Sequence, residues 1–307
     1  MIDPELSGKV VLVTGGNNPH GIGAATASAF AAQSTAVFIQ GFRSPQQVSA
    51  ATDRDGDEPE TPGLEFYYSM QARSTEEVVE SIRRHGGQAD CWEADLGDAA
   101  AIPELFDRAE RRFGPVDVLV NNAANYQADT FVPGSPSVSG VGGENAAGEL
   151  WAEGPVPSSM SAHTHDRHFA VNTRAAALMM SEFARRLVVT QKRWGRIINV
   201  SADWSWGSPG EVSYRASKHA LESYTRSAAA ELGPLGVTVN AVSPGPVQTG
   251  YIAPEVEESL RASIALRRVG RPEDVADVIV FLASEQARWV TGQVLTVHGG
   301  HRMAPGL

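Results

Sequence analysis

The stretch Val10-Val11-Leu12-Val13-Thr14-Gly15-Gly16-Asn17-Asn18-Pro19-His20-Gly21-Ile22-Gly23-Ala24 decides the fold. Four apolar residues without polar alternation suit a strand buried on both faces, which is how strands of parallel sheets read. Glycines then let the backbone turn sharply, and the pattern from Ile22 to Gln33 predicts a helix. Strand, glycine turn and helix in that order set amide groups and the positive end of a helix dipole where a pyrophosphate can sit. Glycine-rich turns also close strands for purely structural reasons. The position at the first strand-to-helix junction favours the cofactor reading.

Outward from this turn the same alternation repeats. Short apolar runs stand at Ala36 to Ile39, Val116 to Val120, Ile197 to Val200, Val237 to Val242 and Val294 to Val297. Helical patterns lie between them at Ser74 to His85, Ala101 to Phe113, His165 to Thr190, Ser213 to Leu232 and Pro272 to Ala283. Alternating strands and helices imply right-handed crossovers and an α/β, doubly wound parallel sheet. At 307 residues the chain is near the upper limit of one such domain, and a single domain over 1–307 with two insertions is expected. The insertions fall near 44–73, where Asp53 to Glu60 is polar and contains proline, and near 125–161, which is rich in Gly, Ser and Pro around Trp151. Segments of that length are lids, binding loops or spacers, and both follow carboxyl ends of strands, the edge where open sheets bind ligands.

With 25 basic and 36 acidic residues, the formal net charge of -11 repels phosphate backbones and anionic lipid headgroups, which argues against nucleic acid and membrane partners. Cys91 is the only cysteine, so no intrachain disulfide or thiolate metal cluster is expected. The acidic start and brief first apolar run predict neither signal peptide nor membrane span, hence a cytoplasmic protein. His163, His165 and His168 lack the spacing of a helix-face ligand pair, and no metal is expected.

Lysine is rare here, and each of the three, Lys9, Lys192 and Lys218, is informative by position. Lys218 follows Tyr214 by one helical turn in Tyr-Arg-Ala-Ser-Lys, so both side chains leave one helix face. A phenol titrates near pH 10 in water and is a poor acid/base at neutrality. A nearby ammonium and an oxidised nicotinamide ring both favour phenolate. Such pairs also occur by chance on ordinary helices, and the weight comes from the ordered company of the glycine turn, Asn121-Asn122-Ala123-Ala124 and Gly195-Arg196-Ile197-Ile198.

In that order the motifs resemble the short-chain dehydrogenase/reductase family, classical type, closest in pattern to 3-oxoacyl-carrier-protein-reductase-like members with a Rossmann fold. The glycine turn carries two residues more than the family's usual one. The resemblance implies an NAD(P)-dependent oxidoreductase that interconverts a carbonyl and an alcohol. Tyr214 would exchange the substrate oxygen's proton, and Lys218 would hold the nicotinamide ribose. Asn172 would support a water in the proton relay. A serine at the end of the fifth strand would hydrogen-bond the substrate oxygen. Counting back from Tyr214 gives Ser201 and counting forward from Gly195 gives Ala202; Ser201 is the choice, with Ser205 as substitute. Cofactor contacts are expected from Gly15, Asn17, Gly21, Ile22 and Gly23 of the turn, Asp95 and Leu96 at the adenine, Asn122 and Ala123, and Pro244, Gly245, Val247 and Thr249 around the carboxamide. Asp95 reads equally as a helix cap. After Ile39 the chain offers Arg43 and no carboxylate, which favours NADP over NAD, although Arg43 also reads as a solvated surface charge.

The family also implies a small-molecule substrate and a homodimer or homotetramer through the helices around Asn172 and Tyr214. Trp204 and Trp206 either line an apolar substrate pocket or pack their loop. An enoyl reductase is disfavoured by the short tyrosine-to-lysine spacing. A nicotinamide-binding regulatory or scaffold protein with lapsed catalysis is the alternative to the enzyme, motivated by the uncertain serine.

Overall fold

A computed structural model describes residues 3–43, 59–132, 158–202 and 210–301. Strand β1 (Val10–Thr14), helix α1 (Ile22–Ala31) and strand β2 (Ala36–Gly41) form the first crossover unit. Helices α2 (Leu64–Gln71) and α3 (Thr75–Arg84) precede β3 (Gln88–Glu93), and α4 (Ala101–Phe113) leads to β4 (Val118–Asn121). A two-residue pair, β5 (Asp129–Thr130) with β6 (Ser158–Ser159), stands apart from the main sheet. Helix α5 (Ala162–His168) runs through a π-helical turn (Phe169–Ala175) into α6 (Ala176–Val189). Then come β7 (Gly195–Val200), α7 (Val212–Leu232), β8 (Val237–Pro244), α8 (Pro254–Ser263), α9 (Pro272–Ala283) and β9 (Val294–Val297).

The main sheet has seven strands in the order β3-β2-β1-β4-β7-β8-β9, and each neighbouring pair is parallel. The strand order reverses between β1 and β4, which opens a crevice at their carboxyl ends. Alternate residues of β1 go to opposite layers. Val11 and Val13 pack with Phe30, Val79, Ile279 and Leu282, while Leu12 packs with Phe106, Met179 and Phe183 on the other face. Burial on both faces explains why these strands lack polar alternation.

The edge strand β3 was not among the apolar runs, because Gln88-Ala89-Asp90-Cys91-Trp92-Glu93 mixes polar and apolar residues as a half-covered edge permits. The first insertion is not loop throughout: its second half folds into α2 and returns to the carboxyl edge. There Gly63 N–H donates to Gly250 O at 2.9 Å, and Asn17 Nδ2 donates to Gln71 O at 2.7 Å. This half is a wall beside the glycine turn. Trp151, Trp204, Ser205 and Trp206 lie outside the described residues.

Candidate active site

The glycine turn is fixed from below by β4. Thr14 Oγ1 accepts the N–H groups of Asn122 and Ala123, each at 3.0 Å, and Asn122 Nδ2 donates to the carbonyls of Thr14 and Gly15, each at 2.9 Å. The paired asparagines therefore act through hydrogen bonds that couple two strand ends. Gly15 has φ +72°, and a Cβ there would lie 2.6 Å from Ala123 Cα, so this position admits glycine for two independent reasons. Gln40, which sequence reading passed over, accepts the Gly15 N–H at 3.0 Å and donates to Ala94 O at 2.7 Å, joining β1, β2 and β3 at their ends.

Two further asparagines brace the lengthened part of the turn. Asn18 Oδ1 accepts the His20 N–H at 2.8 Å, and its Nδ2 donates to Thr249 O at 3.2 Å. Thr249 is thereby held beside the turn, downstream of Gly245, whose N–H donates to Val297 O at 3.0 Å, and of Val247, which bridges Gly270. Pro244 ends β8 opposite Val297.

These residues fit a dinucleotide. Gly21 stands at the N-terminus of α1 without a side-chain cap, and no acidic residue occupies the first turn, which contains Ile22 and Gly23. The first amides and the helix dipole are thus available to a pyrophosphate without a competing carboxylate.

Farther out, the expected contacts have protein partners. Asp95 forms a forked ion pair with Arg167 at 2.9 and 3.1 Å and accepts the Gly97 N–H at 2.7 Å. The adjacent Leu96 is 4% exposed and packs into the core beneath α4. Arg43 pairs with Glu93 at 2.8 Å. That carboxylate also accepts from Thr75 N–H at 3.0 Å and is held below the ordinary carboxylate range; against the opposing effect of burial, the Thr75 amide and the Arg43 guanidinium favour its charged form. Glu93, invisible in a search for acids directly after β2, therefore stands within the sphere of Arg43.

Helix α7, which carries Tyr214 and Lys218, is held from both sides. Asn199 bridges β4 and α7, accepting from Asn121 Nδ2 and donating to Thr225 Oγ1, each at 2.8 Å. Asp129 is fully buried, and its Oδ1 accepts the Ser213 N–H at 2.9 Å, so this carboxylate caps the helix immediately before Tyr214. Lys218 is 3% exposed; its Nζ donates to Val200 O at 2.8 Å and lies 5.8 Å from the Tyr214 ring centre. Burial, reinforced by Arg215, brings the Lys218 ammonium down to about 7. Burial pushes the Tyr214 phenol up to about 12, with Arg215 opposing and Glu211 adding to the rise. Protein groups alone thus keep the phenol protonated at neutrality, and a cationic ring beside it is what would favour phenolate.

Asn172 sits in the π-helical turn, 1% exposed. Its Oδ1 accepts the Asn125 N–H at 2.7 Å, and its Nδ2 donates to Asn125 O at 3.0 Å and to Ser217 Oγ at 2.9 Å. Its side chain therefore locks the backbone just before Tyr126 onto α7. His168 does similar work on the same loop. It is buried, its Nε2 accepts the Gln127 N–H at 3.1 Å, and burial holds it below its ordinary titration range. Among the described residues no group of three His, Cys, Asp or Glu side chains is arranged to hold a metal ion.

Ser201 differs from the expectation. Its Oγ donates to Glu222 Oε1 at 2.8 Å, one helical turn beyond Lys218, while Ala202 next to it has no hydroxyl. Successive strand residues face opposite ways, so the serine nearest in count is turned to the helix flank.

The chain belongs to the short-chain dehydrogenase/reductase family. Its residues 144–302 match the family model described as enoyl-(acyl carrier protein) reductase, and residues 63–136 match that described as short chain dehydrogenase. It is similar to the uncharacterised oxidoreductase YjdA of Bacillus subtilis, 31% identical over 95% of this chain and 96% of that protein. It is also similar to the 3-oxoacyl-[acyl-carrier-protein] reductase FabG of Aquifex aeolicus, 29% identical over 96% and 98%. The structure of a short-chain dehydrogenase/reductase from Serratia marcescens superposes with a TM-score of 0.70 at 29% identity, covering 97% of this chain and 99% of that one. Membership makes the chain an oxidoreductase of a nicotinamide cofactor acting on small molecules. Among the described residues no helix is long and apolar enough to cross a membrane.

Proposed function

We propose that this protein interconverts a carbonyl and an alcohol with a nicotinamide cofactor, NADP in preference to NAD, and that Tyr214 is its general acid/base. The observation that carries the reading is the placement of the Tyr214 phenol and the Lys218 ammonium on one face of α7, at the sheet edge that also holds the uncapped α1 terminus. The cofactor supplies or accepts hydride at the substrate carbon. Tyr214 holds the proton for the substrate oxygen, and Lys218, anchored on Val200 O, would hold the nicotinamide ribose; the positive charge of the oxidised ring beside the phenol would favour its ionised form. Asn172 keeps the Asn125 loop in place, and Gly15, Asn17, Gly21, Ile22, Gly23, Asn122 and Ala123 form or brace the pyrophosphate turn. Pro244, Gly245, Val247 and Thr249 would flank the carboxamide, with Asp95 and Leu96 assigned to the adenine end.

Arg43 is the residue assigned to the 2′-phosphate; its Glu93 partner makes the preference for NADP a modest one. Tyrosine-to-lysine spacing of one turn supports carbonyl rather than enoyl chemistry. The reading includes a cytoplasmic homodimer or homotetramer through α6 and α7, whose Leu178 and Tyr224 are exposed apolar side chains.

A second reading, a nicotinamide-binding regulatory or scaffold protein without turnover, draws on Ser201 being engaged by Glu222. NADPH oxidation followed over a broad ketone panel separates the two. Turnover abolished by Tyr214→Phe, with NADPH binding retained, supports the enzyme. Binding without turnover, indifferent to that substitution, supports the second reading.

A further inference from the structure

Tyr214 stands in a ring cluster. The chain has six tyrosines, and four of them, from separate parts of the sequence, touch in series. Tyr126, from the loop after β4, meets Tyr214 edge-on, with centres 5.2 Å apart and planes at 87°. Tyr251, after β8, meets Tyr126 at 6.3 Å and 80°, and Tyr67 of α2 meets Tyr251 at 5.3 Å and 82°. Aromatic quadrupoles favour such edge-to-face contacts, and a flat aromatic ligand can join the series by the same geometry. Tyr126 remains 42% exposed, so its ring is reachable beside the reacting phenol.

The charged groups around the cluster are engaged with protein partners. Glu211 lies close enough to raise Tyr126, Tyr214 and Tyr251 together. Of the cations beside the ring of Tyr214, Arg215 is held by Glu211 at 2.6 Å and Lys218 by Val200 O at 2.8 Å. A carboxylate or phosphate ligand would find the Arg215 charge balanced by Glu211 and the Lys218 N–H donors turned toward Val200 O. Burial pushes Tyr251 up to about 12 and Tyr67 and Tyr126 upward as well, so the three phenols stay protonated; Tyr126 is hydrogen-bonded to Glu211, which leaves the Tyr67 and Tyr251 hydroxyls for ligand oxygens.

We infer that Tyr67, Tyr126 and Tyr251 form a substrate wall for a neutral, planar aromatic ketone or its alcohol, ring oxygens included, with the reacting oxygen at Tyr214. The inference rests on the oxidoreductase reading above and gives the first insertion, through Tyr67 of α2, a part in choosing the substrate. Loss of one aromatic contact changes affinity by roughly threefold to tenfold.

The test compares 2-tetralone and 6-hydroxy-2-tetralone with the saturated 2-decalone and with acetoacetate, using the full chain and NADPH. Isothermal titration of 2-naphthol reads binding without turnover. Expected are a kcat/KM at least about tenfold higher for the tetralones than for 2-decalone, and no measurable turnover of acetoacetate. Tyr67→Leu and Tyr251→Leu should each weaken naphthol binding about threefold to tenfold and lower the tetralone-to-decalone ratio of kcat/KM by a similar factor. Tyr67→Phe and Tyr251→Phe, which keep the fold's aromatic contacts, should instead remove the advantage of the 6-hydroxy compound. Equal use of 2-decalone, or naphthol binding that ignores every tyrosine variant, overturns the inference and leaves the oxidoreductase reading standing. Tyrosine-dependent naphthol binding with no ketone turned over supports the ligand class and defeats the oxidoreductase reading. Absence of both naphthol binding and tetralone turnover overturns the inference.

Discussion

Ser201 donates its hydroxyl hydrogen to Glu222 at 2.8 Å, and so links the end of β7 to the flank of α7. Glu222 is largely buried, with the His219 ring and the Arg226 guanidinium near its other oxygen, at 3.7 and 3.9 Å. A hydrogen bond to a charged acceptor contributes about 1.5–3 kcal/mol. Ser201→Ala should therefore lower unfolding stability by about that amount in denaturant titrations and change kcat less than tenfold. A kcat loss of about 10²-fold with unchanged stability would show that Ser201 serves the substrate oxygen instead.

Asn172 is held by three hydrogen bonds in a buried site, two of them to the backbone of Asn125. Asn172→Asp replaces a double donor with an acceptor that faces Asn125 O and Ser217 Oγ. Burying that mismatch should cost about 2 kcal/mol or more and slow turnover through displacement of Tyr126. Thermal melts and kcat measured side by side check it; an unshifted melting point would refute the structural part.

Lys218 makes the stability of the cofactor-free protein depend on pH. Its ammonium is lowered from 10.5 to about 7 by burial, so between those values the unfolded chain binds more protons than the folded one. Its penalty is full below pH 7 and relaxes as pH rises through the window. Cys91 and Tyr214 act oppositely, since both are raised to about 12, from 9.0 and 10.0, and their contributions fall only above those ordinary values. The melting temperature should rise between about pH 7 and 8.5, and Lys218→Met should flatten that slope. An equal slope in the variant would count against the buried ammonium.

On the proposed reading, Arg43 and Glu93 would set the cofactor preference as a competition. Arg43→Ala should weaken NADPH binding about tenfold and leave NADH within twofold, because only the former presents a 2′-phosphate. Glu93→Gln removes a carboxylate 2.8 Å from the guanidinium and should tighten NADPH binding. Fluorescence titration with both nucleotides measures each ratio. Equal effects on the two nucleotides would assign Arg43 no part in the choice.

Strands β1, β2, β4, β7, β8 and β9 were legible because burial on both faces removes polar alternation, and the glycine turn because its backbone path needs residues without a Cβ. Tyr214 and Lys218 were legible because one helical turn brings them to one face, whatever packs around them. Those relations are local, and the sequence by itself determines them. The direction of the Ser201 hydroxyl is not local: it depends on where the flank of α7 places Glu222, a residue twenty-one positions on. Likewise Asp129 caps a helix that begins far along the chain, Glu93 reaches Arg43 from a neighbouring strand, and α2 brings Tyr67 to Tyr251 from an insertion that reads as loop. Hydrogen-bond partners and ring contacts between distant segments are set by sheet order and helix packing, so only the tertiary structure decided them.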